Sequence, residues 1–227
     1  AEEDALRELP LPAAARTAES VARLEERLTP HERAVFHEAA FKDPLTSTRG
    51  YDYLSVRAGE WDRLYAGGGA TAALLSARNF KQINDLLGHG SGDAYLRRLG
   101  SILRREVARA RRARLDVQEP VRVASKEFLL VGRDAAAVAR RVARAVERAF
   151  DGGMLAKEQV LRLRRESVER GLVPAGRASL IGTLRVLSEP LSLLGGTADV
   201  KDALDRAFER LEERKRRTQF ASSKAPH

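Results

Sequence analysis

Seven residues, Thr71-Ala72-Ala73-Leu74-Leu75-Ser76-Ala77, form a short apolar run between Gly67-Gly68-Gly69 and Arg78-Asn79. A run this short, closed by glycines on one side, reads as a buried strand rather than one face of a helix. A second β-rich run covers 179–187. Two shorter ones, 120–123 and 127–131, are separated by Ala124-Ser125-Lys126 and have the form of a hairpin. These strand candidates mix with helical patterns without strict alternation. That arrangement favours an α+β fold over a doubly wound parallel sheet.

The helical patterns are clear. Over 13–28, Val21, Leu24 and Leu28 recur at three- and four-residue steps with charges between them, the spacing of an amphipathic helix. Thr29-Pro30-His31-Glu32 then reads as a helix start: a threonine N-cap, proline at the first position and glutamate at the third. That second helix is expected to reach about Phe41, either simply packing on the domain or serving as a transmission or dimerisation helix. Further helices are expected over 49–65, over 80–87 with Asn79 as cap and Gly88 as its left-handed stop, and from Ser91 onward. The last carries Tyr95, Leu96, Leu99, Ile102, Leu103 and Val107 on one face and eight arginines between Arg97 and Arg114 on the other. Asp134 is expected to cap a helix reaching about Phe150, which Gly152-Gly153 breaks; helices over 157–170 and 199–217 follow. The organisation expected is an N-terminal helical extension or linker (1–42), a domain (43–217) and a disordered tail (218–227).

Composition narrows the functional classes. The 227 residues include no cysteine, which removes thiol catalysis, disulfides and zinc-thiolate sites and fits a reducing compartment. No apolar run approaches the roughly 18–20 residues of a membrane span, and the acidic N-terminus does not resemble a signal peptide, so a cytoplasmic location is expected. Met154 is the only methionine, so Ala1 is read as the start of a fragment or processed form. The net charge is +9, but only seven of the 41 basic residues are lysines, and the arginines are spread over the whole chain. With 5% aromatics there are few platforms for stacking bases, and no nucleic acid partner is expected. The histidines, His31, His37, His89 and His227, form no ligand pair with a carboxylate at metal-site spacing. Trp61 and Tyr65, four apart, are read as packing residues.

Three segments carry a family resemblance. They are Asp43-Pro44-Leu45-Thr46; the stretch Asn79-Phe80-Lys81-Gln82-Ile83-Asn84-Asp85-Leu86-Leu87-Gly88-His89-Gly90-Ser91-Gly92-Asp93; and Arg122-Val123-Ala124-Ser125-Lys126-Glu127-Phe128. Together they resemble the GGDEF family of diguanylate cyclases, with Leu180-Ile181-Gly182 as a weaker echo of a Ser-Ile-Gly strand. The resemblance implies a nucleotide-cyclase palm-like fold, a central antiparallel sheet flanked by helices with the signature hairpin at the tip of two strands. It also implies the chemistry: two GTP molecules, one on each protomer of an antiparallel pair, are joined with the help of divalent ions held by carboxylates.

The departures from the family pattern fall on those carboxylates. Ser76-Ala77-Arg78 stands where the family has Asp-x-Asp, and Ala124-Ser125-Lys126-Glu127-Phe128 stands for Gly-Gly-Asp/Glu-Glu-Phe. Hard divalent cations need anionic oxygen ligands, so Ser76 and Lys126 are read as lost metal positions and cyclase activity as lost, with no metal or cofactor expected. By resemblance Asn84 and Asp93 match the base-reading pair; as plain structure they are cap and turn residues. Arg78 and Lys126 are candidates to contact phosphate in place of the metal, giving metal-independent GTP or GDP binding; the alternative is that both are solvated or paired with Glu127. Leu115 and Gln118 fall where the family's Arg-x-x-Asp product-inhibition site would be, so cyclic di-GMP sensing there is not expected. The expectation is a catalytically inactive signalling module, acting through a protein partner or further domains of the same chain. The rivals are an interaction scaffold with an empty pocket, a residual nucleotide hydrolase using Glu127, and an arginine-driven nucleic-acid binder.

Overall fold

The computed structural model of the protein describes residues 18–194 and 197–223. The expectations for residues 1–17, for Gly195-Gly196 and for 224–227 lie outside the described residues. The strand β1, Thr71–Ala77, forms as its apolar run predicts and is buried along nearly its whole length. It sits inside a four-stranded sheet of order β2-β3-β1-β4, built with Val121–Arg122 (β2), Glu127–Gly132 (β3) and Leu184–Pro190 (β4). The three strand pairings of this sheet are antiparallel, in keeping with the α+β reading.

Helices cover both faces. Before β1 come α1 (Ala18–Arg27), α2 (Pro30–Phe41) and α3 (Tyr51–Leu64). After it come α4 (Phe80–Leu87), α5 (His89–Arg112), α6 (Ala135–Ala149), α7 (Lys157–Glu169) and, past β4, α8 (Val200–Ser223). The side-chain alternation of β1 divides the core in two. Ala73, Leu75 and Ala77 pack with Ile83, Leu99, Leu103, Phe128 and Val142 under α4 to α7. Ala72 and Leu74 pack with Trp61, Tyr65, Leu129, Leu204 and Leu211 under α3 and α8, and Val21 and Phe41 join that second cluster.

The predicted start of α2 forms as a capping box: Glu32 N donates to Thr29 Oγ1 at 3.3 Å, and Thr29 N donates to Glu32 Oε2 at 2.8 Å. Two other predicted caps form differently. Asn79 takes a left-handed conformation (φ 54°, ψ 31°) and makes no side-chain cap. Asp134 makes none either, because its carboxylate instead accepts from the Asp116 amide at 2.8 Å and ties the loop after α5 to the start of α6. The run over 179–187 is only partly strand: Ala175–Leu180 is a 3-10 turn and β4 begins at Leu184. Gly182 causes this offset, since its φ of 77° is incompatible with an extended strand. So Leu180-Ile181-Gly182 is a turn leading into the strand. A short hairpin, β5 (Ser192–Leu194) with β6 (Thr197–Asp199), then leads to α8, which runs on to Ser223 across the region expected to be a tail from 218.

Candidate functional site

At the far end of β1 the sheet's apolar face turns polar. Ser76 pairs with Glu127 on β3 and with Arg185 on β4, so these three side chains stand in one row across three strands. Their parity along each strand matches Leu74, Leu129 and Leu187, so the row continues the face that α8 covers. Helix α8 changes character along the same line. Val200, Ala203, Leu204, Ala207 and Leu211 form its buried stripe, and the next positions at that spacing are Arg214 and Lys215. The apolar stripe gives way to cations about where the sheet gives way from leucine to Ser76.

A cleft of about 230 Å³ lies there. Among the described residues that line it are Ser76 and five cations, Arg78, Lys81, Lys126, Arg185 and Lys215, and no carboxylate. Two of the cations have a partner beside the cleft: Lys81 Nζ lies 3.9 Å from Asp85 Oδ2, and Lys215 Nζ 2.5 Å from Glu212 Oε1. Arg78, Lys126 and Arg185 are half-buried and converge. Burial, then the neighbouring Arg177 and Arg214, lower the pKa of Arg78; burial, then Arg78, does the same to Arg185. Lys126 is lowered by burial against an opposing pull from Glu127. The Nε of Arg78 is buried without a hydrogen-bond partner among the described residues. Cations packed this closely, with no ion pair to any of the three among the described residues, cost free energy that an anion would recover.

Glu127 does not neutralise them. It is 5% exposed, accepts from Ser76 Oγ at 3.0 Å and accepts from its own neighbour's amide, Lys126 N, at 3.2 Å. Its carboxylate is therefore held by the sheet end and the turn rather than turned toward a cation. Asn84 and Asp93 lie outside the lining of the cleft. They neighbour each other through Gly92, where a Cβ would fall 1.8 Å from Asn84 Oδ1, so the asparagine side chain rests on the start of α5. The Asp93 carboxylate lies 4.0 Å from Arg97. A wider recess of about 900 Å³ opens beside α2, but Glu38 and Glu119 alternate there with Lys42 and Arg49, so its charge is mixed and nothing converges.

The sequence model of the family described as "Diguanylate cyclase, GGDEF domain" matches residues 41–159. The chain belongs to the GGDEF family. Solved structures agree with the fold. The GGDEF domain of FimX from Pseudomonas aeruginosa is similar at 15% identity with a TM-score of 0.54, over 78% of this chain and 95% of that one. The diguanylate cyclase SiaD of Pseudomonas aeruginosa, in complex with its activator SiaC, is similar at 23% identity with a TM-score of 0.51, over 87% of this chain and 68% of that one. Among curated proteins no sequence match is found.

In this GGDEF domain the signature hairpin is β2–β3. Ala124 and Ser125 are exposed at its tip, and the amides of Val123 and Ala124 donate to Glu127 O at 3.0 and 3.4 Å. Phe128 is a core residue with no exposed surface. Arg122 braces the turn from behind, donating to both Asp43 carboxylate oxygens at 3.1 Å and to Ser125 O at 2.6 Å. This contact explains why Asp43 and Arg122, far apart in sequence, both belong to the matched segments. Leu115 packs partly buried against the core, and Gln118 Nε2 donates to Tyr65 Oη at 2.8 Å, so both have structural roles. Sequence reasoning brought Ser76, Arg78 and Lys126 to one cleft and missed Arg185 and Lys215. The signal for Lys215 was present, as the first cations continuing the apolar stripe of the last helix; Arg185 needed the register of β4.

Proposed function

We propose that this GGDEF domain is a non-enzymatic signalling module that binds the phosphates of GTP or GDP without a metal and acts through a protein partner or neighbouring domains. The observation that carries the proposal is the lining of the cleft, cations with no carboxylate among the described residues. Magnesium does not fit such a donor set: a hard divalent ion needs anionic oxygens, and here Lys126 and Arg185 flank a serine hydroxyl that is itself engaged with Glu127. Loss of metal stabilisation at a transferring phosphoryl group removes several kcal/mol of barrier lowering, on the order of 10³-fold or more in rate. The same cations suit phosphate directly, since guanidinium and ammonium groups donate charge-assisted hydrogen bonds to its oxygens. Asn84 and Asp93 are retained in the proposal as the base-facing pair, an amide and a carboxylate matching guanine's acceptor and donor edges.

A second reading, an interaction scaffold whose pocket stays empty, is favoured by one observation: Asn84 and Asp93 do not line the cleft. SiaD, crystallised with its activator SiaC, shows a structural relative engaged by a separate protein. Calorimetry against GTP, GDP and ATP in excess chelator separates the two. The proposal expects binding that persists without divalent ions, with guanine preferred over adenine, and no cyclic dinucleotide on prolonged incubation with GTP and magnesium. Binding that chelator abolishes, or a cyclic product, would sink it; no binding of any nucleotide leaves the scaffold.

A further inference from the structure

The two edges of the main sheet end differently. Strand β2 is two residues long, and Arg49 closes it from outside: its amide donates to Pro120 O at 2.9 Å and its carbonyl accepts from Arg122 N at 2.7 Å. Strand β4, seven residues from Leu184 to Pro190, forms the other edge, with β1 as its one strand neighbour among the described residues. Two flanking bonds fix which way its backbone points. Arg78 N donates to Thr183 O at 2.9 Å, and Leu191 N donates to Ala70 O at 3.0 Å. The odd-numbered residues between them therefore bond to β1, and Leu184, Val186, Ser188 and Pro190 turn their backbone groups outward. Arg206 Nη2 donates to Pro190 O at 2.9 Å at the end of this row. An edge left open in this way is a template for another strand.

The charges on β4 say which strand fits it. They are Arg185 and Glu189, four residues apart on the face that α8 covers, with Leu187 midway between them. Pair β4 antiparallel with a second copy of itself, centred on Leu187, and Arg185 stands opposite Glu189 of the second copy, Glu189 opposite its Arg185, and leucine opposite leucine. Val186 then stands opposite Ser188 of the second copy, and their outward amides and carbonyls bond in both directions. Moving the centre to Val186 or to Ser188 keeps backbone bonding but sets Arg185 against a leucine. Within the chain, Glu189 Oε1 accepts from Arg210, while no carboxylate pairs with Arg185 among the described residues.

We infer that β4 is a self-pairing edge, through which two copies of this domain join their sheets about a two-fold axis at Leu187. The two clefts then open at opposite ends of the joined strands. The arrangement thus differs from the GTP-joining pair that the family resemblance implies. It stands apart from the proposed phosphate binding and shares with it one residue, Arg185, so it is tested without nucleotide.

The test follows the full chain by sedimentation equilibrium over a range of concentrations, with far-UV circular dichroism to check folding. The wild type is expected to form a reversible dimer. Val186→Pro removes an outward amide but no bond to β1, and is expected to give a folded monomer. Arg185→Glu and Glu189→Arg each set like charges opposite one another on both sides of the axis, and each is expected to weaken the dimer about tenfold or more. Mixing these two variants restores both opposite-charge pairs and is expected to give a heterodimer close to wild-type affinity. That recovery singles out this register from any other surface. A wild type that stays monomeric overturns the inference, and so does a mixture of the two folded charge variants that fails to associate. If Glu189→Arg does not fold, because Arg210 loses its partner, the other two variants decide: a dimer that survives in folded Val186→Pro or Arg185→Glu overturns the inference, and its loss in both upholds it.

Discussion

At the scale of single residues, Lys126 carries the sharpest consequence. Its ammonium is pulled below the ordinary lysine value of 10.5 by burial, more than Glu127 restores. Between that lowered value and 10.5 the unfolded chain holds more protons than the folded one, so folding stability rises with pH through this window. Ligand binding runs the other way. A phosphate beside Lys126 favours the charged form, so nucleotide affinity in chelator is expected to fall as pH rises through the lowered value, below the pH at which a free lysine titrates. Lys126→Met is expected to weaken binding about tenfold at neutral pH and to flatten this alkaline fall. Calorimetry across the alkaline range reads both, and an unchanged slope in the variant would remove Lys126 from the site. The substitution itself was legible in the sequence because the hairpin signature fixes its place. What the sequence did not disclose is that Glu127 would be committed to Ser76, leaving the lysine without that partner. That depends on strand register, which no local pattern encodes.

Elements were legible where one physical rule governed them. The capping box at Thr29 and Glu32 involves neighbours only and formed as written. The start of β4 involved two rules in conflict: β-rich composition over 179–187 and a single glycine with φ 77° inside it. The glycine won because its conformation is held from outside. Its amide donates to Arg78 O at 3.1 Å, its carbonyl accepts from Tyr95 Oη at 2.9 Å, and a Cβ there would come within 2.1 Å of Phe150. Asp134 was lost as a cap to a partner 18 residues away, again a contact invisible locally. Gly182→Ala combines a left-handed strain with an aromatic clash and is expected to cost about 2–4 kcal/mol in chemical denaturation. Because Gly182 also holds the carbonyl of Arg78, the same variant is expected to weaken nucleotide binding beyond what its folded fraction accounts for. A change in stability with native affinity would show that this turn does not position Arg78.

At the scale of the whole molecule, the boundary placed at residue 42 meets a core that does not stop there. Val21 on α1 and Phe41 on α2 belong to the cluster that holds Leu74 on β1 and Leu204 on α8. An edge-to-face series runs from Phe36 through Phe41 and Tyr53 to Trp61, with ring centroids 5.7 to 6.0 Å apart. A polar junction locks the same helices: Glu25 on α1 accepts from Arg57 on α3 at 2.8 Å and lies 2.5 Å from His37 on α2, all three side chains being largely buried. A charged junction of this kind is costly to half-remove, because the partner left behind stays buried. If the first two helices unfold together with the sheet, Glu25→Ala lowers global stability by about 2–3 kcal/mol, and the midpoints from Trp61 fluorescence and far-UV circular dichroism shift together. If they form a separate appendage, the main transition stays in place and only a fraction of the helical signal melts early. The shared cluster predicts the first outcome. A joint shift would make α1 and α2 an integral wall of the face on which α8 and the cationic cleft sit, and a split would return them to the role of a linker.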